Sequence, residues 1–180
     1  MKNIDKYRGC LIGGAAGDAL GYAVEFLDDA AIFSKYGENG ITEYSLVNGV
    51  AEISDDTQMT LFTANALLLG TTRGMTRGIM GSYPSYISLC YKEWLRTQYE
   101  QFPLNEEYSW LINVPELFAR RAPGNTCISA IENGANGTLE EPINRSKGCG
   151  GIMRVAPIGL YFEGKRYSVS EIDRIGAETA

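Results

Sequence analysis

A chain of 180 residues with 44% hydrophobic side chains carries enough apolar material for one domain with a core, and too much to stay disordered. The formal charge of -6, from 16 basic and 22 acidic residues, argues against a nucleic-acid binder that grips phosphates through a basic surface. Histidine is absent, which excludes Ser-His-Asp and Cys-His catalytic units, His-ligated zinc and His-based proton transfer within the chain. Any chemistry therefore rests on carboxylates, hydroxyls, thiols, backbone groups or a hard metal ion.

Cys10, Cys90, Cys127 and Cys149 are widely spaced with no C-x-x-C pair, and read as reduced thiols of a cytoplasmic protein. No signal sequence is visible, because Met1 leads into the charged segment 2–8. No apolar run is long enough to span a membrane.

In chain order, Ile4, Tyr7, Leu11, Ala15 and Ala19 form a helical stripe. Its second half is crowded with Gly9, Gly13, Gly14 and Gly17, which lower helix propensity and suit close approach of a backbone or ligand. Asp28 is placed to cap a helix running to Tyr36, with Gly37 ending it. Segments 41–46 and 50–53 flank Asn48-Gly49, a hairpin turn signal, and give a short β-hairpin near 41–53. A helix is expected from the Ser54-Asp55-Asp56-Thr57 cluster, with Asp55 and Gln58 as a capping box, an apolar stripe at Met59, Phe62, Ala66 and Leu69, and Gly70 as its end. Segment 71–81 then reads as a connection.

A long aromatic helix is expected over 84–100, an irregular stretch over 104–111, and short helices over 115–121 and 126–133. Residues 134–147 form a Gly- and Asn-rich loop, and Gly148-Cys149-Gly150-Gly151 leads into a helix over 152–162. Ser168 with Glu171 makes a final capping box whose helix still runs at Ala180. The reading is all-α and multi-helical, one domain over 1–180 without an internal linker. The open last helix suggests that more chain follows it in the parent protein.

Four constellations stand out. Ser54-Asp55-Asp56-Thr57 offers four oxygen-bearing side chains at a helix start, suited to a hard cation such as magnesium, which needs only one or two protein carboxylates. It also suits an N-cap with acids complementing the helix dipole, and spacing alone favours the cap. Gly13-x-x-x-Gly17-Asp18-Ala19-Leu20-Gly21 is followed by Glu25, a carboxylate just past a helix end where it can work as a general acid or base, or serve only as an exposed acid beside packed helices. Ser146 to Arg154 contains a glycine turn opening a helix, a phosphate-holding device or a plain tight turn. Arg121-Ala122-Pro123-Gly124-Asn125-Thr126 reads as a structural turn.

Taken together and in this order, these segments resemble the ADP-ribosylglycohydrolase family, which includes the enzyme that reactivates dinitrogenase reductase. The similarity runs through Arg8 to Gly21 with Glu25, Ser54 to Met59, Arg121 to Thr126, and Ser146 to Pro157. It implies an all-α fold with a cleft for two magnesium ions. Ser54, Asp55 and Asp56 correspond to metal ligands, and Glu25 with Asp55 and Asp56 to the catalytic set. Gly148, Gly150, Gly151, Ile152 and Met153 correspond to positions beside bound ADP-ribose. The implied reaction is hydrolysis at the anomeric carbon of the ribose, releasing ADP-ribose from a modified protein side chain or a small molecule, with no nucleic-acid or membrane partner. Two other functions stay open: a non-catalytic ADP-ribose or nucleotide binder, and a crystallin-like structural relative.

One departure is large. Family members carry a second metal motif, D-x-D-[ST], toward the C-terminus, and no D-x-D occurs in this sequence. The resemblance thus implies the N-terminal part of such an enzyme, with half a metal site that binds magnesium weakly. It further implies an apolar face to be covered by the missing C-terminal fragment or by a second copy in a homodimer.

Overall fold

The computed structural model describes residues 3–105 and 108–180. Among these residues there are seven α-helices and one small antiparallel hairpin, so the all-α expectation holds. Helix α1 spans Ile4–Tyr22 and α2 spans Asp29–Tyr36, with Asp28 capping Ala31 N–H and Gly37 closing the end. The hairpin pairs β1, Leu46–Val47, with β2, Val50–Ala51. Its strands are shorter than expected, but the turn is as read: Asn48 and Gly49 both take positive φ, 52° and 82°, as a tight hairpin requires.

Helices α3, Asp55–Arg77, and α4, Tyr83–Tyr99, are the most extensively packed pair. Shorter helices α5, Asn125–Glu132, α6, Ala156–Phe162, and α7, Val169–Thr179, complete the body, joined by 3₁₀ turns at Trp110–Asn113, Pro115–Leu117 and Cys149–Arg154. The capping box of Ser168 and Glu171 on α7 is formed in both directions. The expected irregular stretch 104–111 includes Glu106 and Glu107, which lie outside the described residues, as do Met1 and Lys2; its far end enters the 3₁₀ turn at Trp110. The short helix expected over 115–121 is a single 3₁₀ turn.

The core is built on α3. Met59, Phe62, Ala66 and Leu67 are buried against Ile87, Cys90, Tyr91 and Trp94 of α4 and Ile158 and Phe162 of α6. Gly70 does not end α3, which continues over the expected connection to Arg77 and stops at Gly78 in the left-handed conformation. The reason is packing. A Cβ on Gly70 would lie 2.7 Å from the Tyr86 ring, so the glycine lets α4 approach closely. The hydroxyl of Thr71 bonds back to the Leu67 carbonyl within the continuing helix.

Buried polar groups tie distant segments to this pair. Gln58 is fully buried; its amide donates to the Ala119 carbonyl, and its carbonyl oxygen accepts from the Trp94 indole at 3.0 Å. Gln58 is therefore not a capping partner of Asp55; the cap is Ser54. The Glu93 carboxylate accepts the N–H groups of Tyr108 and Ser109, both at 2.6 Å, while Asn65 accepts from the Ser109 hydroxyl and the Leu111 N–H. These bonds fix the chain crossing over α3 and α4.

Helix α1 is peripheral, with Ala19 as its buried residue and Ile4 and Ile12 exposed. Of the two partners the sequence allows for its glycines, a backbone or a ligand, no backbone comes close. A Cβ on Gly9, Gly13, Gly14, Gly17 or Gly21 would meet no atom of another segment within 4 Å. Total accessible surface is 11074 Å², against roughly 8,600 Å² for a compact monomer of this mass. Ile12, Phe26, Phe33, the hairpin residues Leu46, Val47 and Val50, and Met75 are among the exposed large apolar side chains.

The two classes of helical glycine should respond oppositely to alanine. Gly13→Ala, with open space, should gain up to about 1 kcal/mol from helix propensity. Gly70→Ala, whose methyl meets the Tyr86 ring, should lose about 1 kcal/mol or more despite the same propensity gain. Urea melts of both variants test this, and a stabilised Gly70→Ala protein would contradict the close α3–α4 contact.

Candidate functional site

The start of α3 is where the site takes shape. Ser54 has extended backbone, and its hydroxyl accepts the N–H of Asp56, which makes it the N-cap. The cap is itself held from α1. Asp18 Oδ1 accepts the Ser54 hydroxyl at 2.6 Å, and Oδ2 accepts the Ser54 N–H at 2.9 Å, the Thr57 N–H at 3.2 Å and the Thr57 hydroxyl at 2.5 Å. Four donors thus converge on one carboxylate.

Asp55 points to the other side, where it is 5% exposed. Its Oδ2 accepts the Gly124 N–H at 3.3 Å, and its own N–H donates to the Arg121 carbonyl at 3.0 Å. The segment 121–126 therefore wraps the helix start. It turns at Ala122, whose φ of 54° is unusual for a residue with a side chain and marks local strain. The Arg121 guanidinium donates to the Ile53 carbonyl and pairs with Glu52 at 3.2 Å, fixing the segment that leads into Ser54.

Electrostatically the carboxylates are crowded. Burial, which outweighs the Gly124 hydrogen bond, and then repulsion from Asp56 and Glu25 push Asp55 up to about 6. Desolvation and Asp18 raise Asp56, and desolvation with Asp56 and Asp18 raises Glu25. What acts on Glu25 and Asp56 is loss of water and other carboxylates, so the cluster favours any positive charge brought to it. Among the described residues, no hydrogen bond or ion pair engages the Asp56 carboxylate. Nor do three Asp, Glu, Cys or His side chains converge tightly enough to form a metal cage by themselves.

A cavity of about 530 Å³ opens here, lined by Asp18, Glu25, Ser54, Asp56, Thr57 and Met153 among others. The glycines of α1 acquire a role at this point: Gly14, Gly17 and Gly21 form its wall, leaving room that side chains would fill. Asp55 does not line this cavity; it supports the helix start from behind.

The glycine segment lies differently from expectation. Cys149–Arg154 is a 3₁₀ helix, and α6 begins only at Ala156, so no α-helix opens at Ile152. Close packing shapes this turn: a Cβ on Gly150 would fall 2.7 Å from Cys127 Sγ, and one on Gly151 2.9 Å from Ala180. Gly148, Gly150 and Gly151 line a second, larger cavity of about 1250 Å³ between α4, α5 and α7. Cys149 lines both cavities, Met153 faces the carboxylates, and Ile152, 76% exposed, lines neither. The Thr60 hydroxyl donates to the Met153 carbonyl at 2.7 Å, joining this segment to α3.

The sequence alone gives Asp18 no role and offers Thr57 only as one of four oxygen-bearing side chains at the helix start, so their bond to each other is not legible in it. The signal for Asp18 is an acid within a glycine-rich helix, at a position whose neighbours carry no long side chains.

The family model of ADP-ribosylglycohydrolase matches residues 1–180, and the chain belongs to that family. No curated protein and no solved structure matches it.

The raised Asp55 carboxyl predicts a pH dependence of stability. The native state keeps this proton up to about pH 6, whereas the unfolded chain releases it near 3.8. Stability from this group therefore falls as pH rises through that window, and the cost above it is up to about 3 kcal/mol. In the presence of a chelator, Asp55→Asn, which still accepts from Gly124, should be more stable than the parent at pH 7.5, with the gap closing toward pH 4. Urea melts at the two pH values read this directly; a gap independent of pH would assign the effect to something other than the carboxylate's charge.

Proposed function

We propose that this ADP-ribosylglycohydrolase family member contributes Glu25, Ser54, Asp55 and Asp56 to magnesium-dependent hydrolysis of the ADP-ribosyl glycosidic bond, releasing ADP-ribose from a modified side chain or a small molecule. The observation carrying this reading is the meeting of Asp56, Ser54 and Glu25 at one cavity, with Asp55 behind them, where carboxylates raise one another without a compensating cation. The donor set fits magnesium: hard oxygens, few carboxylates, and room for water and ligand oxygens. Ser54 and Asp56 would hold the ion from the cavity wall, and Asp55, which faces Gly124 behind them, would join them only by turning toward the cavity; the ion would supply Lewis acidity and orient ribose hydroxyls and water.

The remaining work falls to side chains of the chain itself. Glu25 stands past the end of α1 on the cavity wall, with its proton affinity raised by loss of water and by Asp56 and Asp18. It can take a proton from the attacking water, or stabilise the oxocarbenium-like charge on the anomeric carbon. The new bond joins water oxygen to that carbon, and the glycosidic bond breaks with its electron pair leaving on the modified group, which is then protonated. Met153 and the cavity's glycine wall from α1 bound the ribose side. Gly148, Gly150 and Gly151, beyond Cys149, are assigned to the pyrophosphate side of the ligand. Without a D-x-D motif in these 180 residues, metal binding by this set should be weak.

A second reading, a non-catalytic ADP-ribose binder, has one observation in its favour: the glycine segment mostly lines the larger cavity, apart from the carboxylates. Titration calorimetry with ADP-ribose, with and without magnesium, separates the two when run beside Asp55→Ala/Asp56→Ala and paired with an assay for ADP-ribose release. Magnesium-dependent binding lost in the double variant is expected. Binding indifferent to magnesium and to the variant would establish the second reading, and no binding at all would sink both for this chain.

A further inference from the structure

The four hydrogen bonds to Asp18 do more than anchor a helix. A hydroxyl oxygen has one proton and two lone pairs. Because a carboxylate can only accept, the Ser54 hydroxyl proton is committed to Asp18 Oδ1 at 2.6 Å. One lone pair of the same oxygen accepts the Asp56 N–H at 3.2 Å. What remains is a single lone pair, on a residue that lines the cavity together with the unengaged Asp56. Thr57 is treated likewise: its proton is committed to Asp18 Oδ2 at 2.5 Å. Neither hydroxyl can turn its proton toward the cavity while these bonds hold.

We infer that Asp18 is a positioning residue for the cation site: by taking the protons of Ser54 and Thr57, it makes Ser54 a lone-pair donor aimed beside Asp56 and holds the two at fixed separation. The inference rests on the magnesium reading above. Three donors fill Oδ2 of Asp18 and the Ser54 hydroxyl occupies Oδ1, so on this inference the work of the carboxylate is holding protons at the helix start rather than the ion. Asparagine in its place would turn an N–H₂ group toward donors on one side and release at least one hydroxyl proton.

The test is Mn²⁺ binding read by water-proton relaxation, which reports millimolar affinities, on the parent chain, Asp18→Asn, Ser54→Ala and the double variant. Thermal unfolding in chelator is recorded for all four. Asp18→Asn should weaken Mn²⁺ binding about tenfold, Ser54→Ala by a similar factor, and the double variant no further than either alone, because both remove the same lone pair. Multiplying losses, or an Asp18→Asn affinity equal to the parent's, would reduce Asp18 to a helix anchor and overturn the inference. A parent chain that binds no Mn²⁺ would instead overturn the magnesium reading, and this inference with it. Should Asp18→Asn unfold in chelator, the parent's Ser54 hydroxyl proton is measured by NMR: slow exchange with water is expected, and fast exchange refutes the committed proton.

Discussion

Four donors from the start of α3 end on the single carboxylate of Asp18, and most of the candidate site follows from that bond set. Helix α1 is otherwise lightly attached, with one buried residue and an exposed apolar surface. Asp18 reaches out of it to the one place where α3 has free N–H groups, the orphan donors of a helix N-terminus. A negative charge there is favoured by the helix dipole as well as by hydrogen bonding. The same charge is unwelcome to Asp56 and Glu25, whose proton affinities it raises. The anchor and the electrostatic tension of the site are therefore two sides of one residue.

Rigidity behind the site comes from buried polar groups further along α3 and α4. Gln58 sits one turn from Ser54 and is clamped between Trp94 and the Ala119 carbonyl. Arg121, just beyond that carbonyl, then accepts from Asp55 and braces Ile53. A buried amide left without partners would cost about 1–3 kcal/mol, so this network either forms whole or destabilises the core it sits in. The helix start is consequently gripped on both flanks, by Asp18 in front and by segment 121–126 behind. That segment tolerates positive φ at Ala122 to complete the grip.

Much of this was legible in the sequence where the controlling interaction is short-range. Asp28, Ser168 with Glu171, and Asn48-Gly49 were read correctly because a cap or a tight turn is decided within about four residues. The carboxylate cluster was also legible, as residue types at a helix start, and Glu25 as an acid just past a helix end. The misread positions share a different physics. Gly70 has the intrinsic preference of a terminator, yet it lies mid-helix because the Tyr86 ring occupies the space a side chain would need. Gln58 looks like a capping partner of Asp55 and instead turns inward to Trp94.

What the sequence by itself determined is the all-α class, the positions of most helix starts, the family, and the oxygen-rich chemistry left once histidine is absent. Tertiary structure alone decided which of these residues meet. It set Asp18 against Ser54 and Thr57 across 36 and 39 positions of chain. It placed Asp55 behind the cavity rather than in it, and turned Gly148, Gly150 and Gly151 toward a separate space. The reason is that caps and turns are satisfied by neighbours along the chain, whereas a buried carboxylate or a glycine without a side chain takes its meaning from whatever other segment comes to rest against it.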